Sequence, residues 1–258
     1  MEIENYQMKE SLFEYCLRLG DTSLILGHRL SEWCGHGPIL EEDIAMANLS
    51  LDLIGQSRMI LSYAGETEGK GRTDDDLAYH RDAMQYRNVL LAEQPNGDFA
   101  LTMTRQFFIS VYNFYLYEAL KKSKDKNIAA FAEKSLKEVI YHVRHSSDWM
   151  LRLGDGTEES HARAQNAVDD LWIFTDDLFQ MDHVDELLIK EGIAADLNII
   201  KAKWKAHVEE VLKKAALSFP QINNFMRTGS REGKHTEHLG YILAEMQFLP
   251  RAYPDAKW

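Results

Sequence analysis

Four groups of residues have types and spacings that could do chemistry. In LDLIGQSRMILSYAGE (51–66), Asp52 and Gln56 stand four residues apart, and Asn48 lies four before Asp52. On a helix this makes a polar stripe along an otherwise apolar element. In KEVIYHVRH (137–145), Glu138 and His142 share the spacing, and His145 follows one turn on. HTEH (235–238) sets His235 and His238 three apart around Glu237, and RTGSREGK (227–234) gathers Arg227, Arg231 and Lys234 among two glycines.

Each group has a chemical reading and a plainer one. A carboxylate-bridged di-iron centre takes a Glu from each of two helices and a Glu-x-x-His from each of two others. Neither the helix holding Asp52 nor the helix holding His142 carries Glu-x-x-His. Gln56 is a weak iron ligand, and Asp52, Glu138, His142 and Glu32 supply too few anionic oxygens for two metals. The residues favour a hydrogen-bonded polar core that fixes helix register. His142 with His145 as half of a mononuclear zinc or iron site is the alternative. HTEH lacks the His-Glu-x-x-His order of a metalloprotease. A helix N-terminus also disfavours protonated histidine, so a cap or interface role is expected there. RTGSREGK can cradle a phosphate through its basic side chains and glycines, but without P-loop spacing. Its plainer reading is a solvated basic loop. No Gly-x-Ser-x-Gly occurs, and neither cysteine sits in a recognisable nucleophile motif.

The elements that must position these residues are helical. Periodicity of three to four dominates, and Pro38 is the only proline before residue 95. Helices are expected over about 9–34, 40–65, 75–93, 99–121, 126–153, 158–180, 184–191, 196–216 and 236–249. CGHGP (34–38), EQPNGD (93–98) and GDGT (154–157) mark breaks, and 217–234 reads as irregular. The 99–121 stretch is apolar nearly all round, as a central helix is. This pattern predicts an all-α helical bundle in a single domain over 1–258, with its core over about 9–180 and a helical extension over 181–258.

Composition narrows the function classes. The formal net charge of −12 argues against nucleic acid or an anionic membrane as partner. No apolar run approaches the ~20 residues of a membrane span. The acidic start MEIENYQMKE is not that of a signal peptide. Cys16 and Cys34, if both on the first helix, would lie roughly 27 Å apart and could not bridge. A reducing cytoplasm is the expected setting.

Several segments together carry a resemblance. LRLGDTSLILGHRLSEWCGHGP, LDLIGQSRMILSYAGE, LAEQPNGDFA, KEVIYHVRHSSDWMLRLGDGT and HTEHLGYILAEMQFLPR, in this order, resemble the C subunits of the bacterial phenylacetyl-CoA epoxidases, the ring 1,2-phenylacetyl-CoA monooxygenases. The resemblance implies a ferritin-like helical bundle with additional C-terminal helices. It implies an accessory, non-catalytic subunit paired with a paralogous di-iron subunit that binds the coenzyme A thioester. Small accessory subunits and a reductase carrying NADPH, FAD and an iron–sulfur cluster would complete the complex. The accessory subunit of such an enzyme holds no cofactor of its own, and a homodimer in isolation stays open. Laid over the catalytic paralogue's motifs, the ligand Glu and His of the second helix fall on Leu53 and Gln56. Those of the fifth helix fall on Val139 and His142. The alternatives are a ferritin-like oxygenase with its own degenerate metal site, and a binding module whose Arg227, Arg231 and Lys234 touch coenzyme A phosphates.

Overall fold

A computed structural model describes residues 2–220, 225–254 and 256. Among these every regular element is helical: α1 (Glu2–Ser31), α2 (Leu40–Glu68), α3 (Asp74–Tyr79), α4 (Phe99–Leu120), α5 (Lys126–Gly154), α6 (Glu158–Trp172), α7 (His183–Lys190), α8 (Leu197–Lys214), α9 (Glu237–Met246) and α10 (Phe248–Ala252). The all-α fold agrees with the ferritin-like bundle expected above. The helices start where side chains satisfy orphan backbone donors. Asp98 accepts from the Leu101 amide, Asp125 from those of Asn127 and Ile128, and Asp196 from that of Asn198. Thr73 with Asp76 and Thr157 with Ser160 close reciprocal capping boxes.

The chain divides into two compact units. The first comprises Met1–Gln94, Asp182–Lys190 and Gly229–Trp258. Its frame is the α1–α2 pair. Gly20 and Gly27, two turns apart on α1, let the helices meet closely: a Cβ on Gly20 would lie 2.5 Å from a Leu61 methyl, and one on Gly27 3.3 Å from the Leu53 Cβ. The Ser50 hydroxyl donates to the Gly27 carbonyl at 2.7 Å. A mid-helix glycine costs about 1 kcal/mol against alanine, and this contact offsets it by burying Leu49, Leu53, Ile60 and Leu61. α2 ends at Gly69, whose φ of 72° only glycine adopts without strain. α1 ends at Ser31, earlier than expected, so Cys34 is exposed in the turn while Cys16 is buried; both are free thiols.

Two expected helices are corrected in this unit. The stretch 75–93 is helical only to Tyr79. Beyond a short 3-10 turn at Ala83–Gln85 the chain runs without a regular helix, because side chains of α1 take its amides: Arg87 N–H donates to Asp21 and Val89 N–H to the Thr22 hydroxyl. The stretch 236–249 breaks at Gln247 into α9 and α10. Pro250 has no N–H to continue the ladder and sits in the first turn of α10, where none is needed. Of the tail PRAYPDAKW, Asp255, Lys257 and Trp258 lie outside the described residues.

The second unit comprises Pro95–Met181 and Glu191–Thr228. α4 packs against α5, α6 and α8, and its Phe107, Phe108 and Ile109 are fully buried. This confirms the all-round apolar reading. Phe108, Trp172 and Trp204 form a cluster with ring centroids 5.6–5.7 Å apart, extended through Phe179 at 5.3 Å from Trp204. The Trp204 indole donates to the Phe108 carbonyl at 2.8 Å. The expected helix 158–180 ends at Trp172, whose carbonyl accepts from the Thr175 hydroxyl, and a 3-10 turn over Thr175–Phe179 follows. In the irregular stretch 217–234, residues 221–224 lie outside the described residues.

Candidate functional site

The polar stripe on α2 is not uniform in environment. Asn48 is exposed, Asp52 is half-buried and Gln56 is buried. Each four-residue step turns a helix about 40° further, because 3.6 residues complete a turn. The stripe therefore winds from solvent into the interior. Of the expected ligand positions, Leu53 is fully buried and packs toward Gly27, and Gln56 is buried one turn on. On α5, Val139 and His142 are buried in the same relation. Glu138 is half-buried, and His145 lies beside the Tyr141 ring at 5.8 Å. Leu and Val offer no lone pair to a metal, and Gln offers a neutral amide. Taken helix by helix, the α2 positions offer a Leu and a Gln and the α5 positions a Val and one imidazole, so neither helix presents the Glu and His pair that a di-iron group takes from it. Among the described residues no cluster of three or more His, Cys, Asp or Glu side chains is placed to hold a metal. Two Glu-x-x-His spacings escaped the reading of the sequence, Glu232 with His235, where Glu232 is exposed and ion-paired with Lys234, and Glu158 with His161. The second stands on the first turn of α6, with Glu158 exposed and the His161 ring bonded to the Gly154 carbonyl.

The basic loop is spread over both units. The Arg227 guanidinium, in the second, stands 5.7 Å from the Phe174 ring centroid, and its backbone amide donates to the Ile173 carbonyl. Arg231 and Lys234 belong to the first, where Lys234 is ion-paired with Glu232.

The densest polar chemistry lies instead around Glu93, which the sequence marked only as a turn residue. Its carboxylate is fully buried and accepts four hydrogen bonds: Thr236 amide (2.6 Å), Thr236 hydroxyl (2.7 Å), Asn88 side-chain amide (2.8 Å) and His235 Nδ1 (2.9 Å). Its carbonyl accepts from Arg29 Nε and a terminal guanidinium nitrogen. HTEH therefore caps nothing with His235; it delivers His235 and Thr236 to Glu93 at the start of α9. The other ring nitrogen, His235 Nε2, faces the Tyr86 carbonyl at 3.0 Å. Both nitrogens meet acceptors, which is the environment of an imidazolium.

This corrects the expectation that the helix N-terminus would disfavour the charged form. Burial alone would push the His235 pKa down, but the hydrogen bond to Glu93 and its charge, with the Tyr86 carbonyl and Asp21, carry it above the ordinary value. Neighbouring charges are also paired. Arg81 is held by Asp21 and lies 4.3 Å from the Tyr86 ring centroid, and Arg87 reaches Glu14 at 2.7 Å. A raised histidine pKa stabilises the fold in full below the unfolded value of about 6.5, and that contribution is lost as pH rises through the folded value. The gap in melting temperature between the wild type and His235→Gln should therefore shrink from about pH 6 to about pH 9. A gap independent of pH would contradict the imidazolium.

A second buried knot holds α7 to α1. Arg18 donates to Asp182 at 2.6 Å and to Asp185 at 2.8 Å. Burial alone would raise the Asp182 carboxyl, but Arg18 outweighs it and holds the pKa at about 2. Asp21, Thr22 and Arg29 follow Arg18 by three, four and eleven residues, which keeps them on one side of α1. That interruption of the apolar seam of α1 was the available signal. In both knots the charged groups are paired within the protein, and the pairs tie helices together.

The family model of the phenylacetic acid catabolic proteins matches residues 2–258. The chain is 49% identical over 247 residues, 96% of its own length and 99% of the relative's, to the C subunit of the 1,2-phenylacetyl-CoA epoxidase of Escherichia coli strain K12. On that coverage, this chain belongs to the phenylacetic acid catabolic protein family.

Proposed function

We propose that this chain acts in phenylacetate catabolism as the accessory, non-catalytic subunit of a multicomponent di-iron monooxygenase that epoxidises the ring of phenylacetyl-CoA. The observation that carries the reading is the donor set at the four degenerate positions, Leu53, Gln56, Val139 and His142, in a chain similar over nearly all its length to an epoxidase subunit. Replacing paired inward carboxylates by Leu and Val removes a desolvation cost of several kcal/mol per ion and leaves apolar packing in its place. A bundle so altered keeps its helices while giving up the redox chemistry, which the partner's di-iron centre and the reductase's NADPH, FAD and iron–sulfur cluster would supply. This chain's work is then to hold the catalytic subunit folded and competent. A cytoplasmic setting fits the acidic chain, its two free cysteines and the absence, among the described residues, of a helix long and apolar enough to cross a membrane.

Reconstitution tests the role. The catalytic subunit with reductase and the small subunits, but without this chain, should show less than about a tenth of the epoxidation rate of the full set, or should precipitate, as a subunit deprived of an obligate interface does. Full activity without this chain would refute it.

A further inference from the structure

The outward face of α2 breaks the rule that a surface helix shows water a polar side. Leu40 is 72% exposed, Ile44 52% and Leu51 67%. With the smaller or half-covered Ala47 and Ile54 between and after them, they repeat at intervals of four, three, four and three. That is the a/d spacing of a coiled-coil seam, the pattern that accepts another helix. The opposite edge of α2 already packs on α1 through Ser50, Leu53 and Ser57, so the seam is not a core stripe turned the wrong way. The other long helices supply a control: the exposed positions of α5 include Glu133, Lys137, Arg144 and Asp148, and those of α8 include Lys205 and Glu209. Isolated exposed apolar residues such as Ile140 and Ile199 occur there among charges and need no explanation.

We propose that this face of α2 docks an amphipathic helix of a different subunit, one whose apolar seam is flanked by basic residues. The charge around the seam selects that occupant. Glu41 and Asp52 border it on one side and Asp43 on the other, while the chain as a whole carries −12. A second copy would bring acidic borders against acidic borders, which is repulsive; basic flanks are complementary. The exposed apolar side chains cover well under the ~800 Å² that each partner of a stable complex buries. The seam is therefore the centre of a larger contact, and its water-excluded anchors are Ile44 and Leu51. The assignment rests on the proposed role of this chain as a partner subunit and names the face that role uses.

The test uses the full-length chain, wild type or carrying Ile44→Lys with Leu51→Lys, co-expressed with the di-iron subunit, and follows dissociation of the purified complex on dilution. Both positions are exposed, so helicity and melting temperature of the isolated chain should match the wild type. The dissociation constant should rise by about 100-fold, and Glu41→Lys alone should raise it about tenfold at low salt and less at high salt. Unchanged affinity in the double variant would overturn the seam while leaving the accessory role standing. Failure of the wild-type chain to bind the di-iron subunit would overturn that role and the occupant with it. An isolated wild-type dimer that the double variant converts to monomer would overturn the occupant in favour of a second copy.

Discussion

Glu93→Ala should destabilise the protein by about 3–5 kcal/mol, the range for removing one partner of a buried ion pair. The residue has no solvent exposure and accepts from four donors, all of which lose their acceptor together. One of them is the imidazolium of His235, whose side chain is 5% exposed and would remain buried without its carboxylate partner. At about 2–4 °C per kcal/mol for a chain of this size, the melting temperature should fall by roughly 10 °C. Glu93→Gln keeps the volume and part of the hydrogen bonding, so about 1–2 kcal/mol should be lost. It should also flatten the pH dependence attributed to His235, since the charge that raises its pKa is gone. Thermal unfolding followed by circular dichroism reads both. A loss under about 1 kcal/mol for the alanine variant would show that the Glu93 knot is not what fixes α9 to its unit.

Trp204→Ala should cost a similar amount, about 3–5 kcal/mol, for a different reason. Trp204 is 2% exposed and touches Phe108, Trp172 and Phe179, so its removal leaves a cavity among three large rings that cannot collapse onto one another. Trp204→Phe retains much of the packing but leaves the Phe108 carbonyl without its indole donor, and about 1–2 kcal/mol should be lost. The two variants separate the packing contribution from the hydrogen bond. Urea melts in which both substitutions cost the same would contradict that division.

Helix type and position were legible in the sequence wherever periodicity was long and a cap or glycine marked the end. α2, α4, α5 and α8 fall within a few residues of their expected bounds. The misses share a cause. Residues 80–92 have helical composition, but α1 offers Asp21 and Thr22 to their amides, so tertiary hydrogen bonds outcompete local ones. The Glu93–His235 contact joins residues far apart in sequence, and no local pattern announces it. Its trace was an acid at the end of the apolar run NVLLAEQ. The positions proposed as former ligand sites came only through family resemblance, because Leu53 and Val139 on their own look like any core residues. What composition could show was the absence of Glu-x-x-His on α2 and α5. The structure adds that Leu53 packs along the close α1–α2 contact, so an apolar side chain there has a packing role of its own.

Metal analysis of the separated subunits tests the central claim most directly. The full complex is purified, this chain is parted from the di-iron subunit without chelator, and iron is measured per chain in each. The account predicts less than about 0.1 iron per copy of this chain, with the iron retained by its partner, since Leu53 and Val139 carry no donor atom and Gln56 only a neutral amide. Near-stoichiometric iron in this chain, lost on His142→Ala, would contradict it.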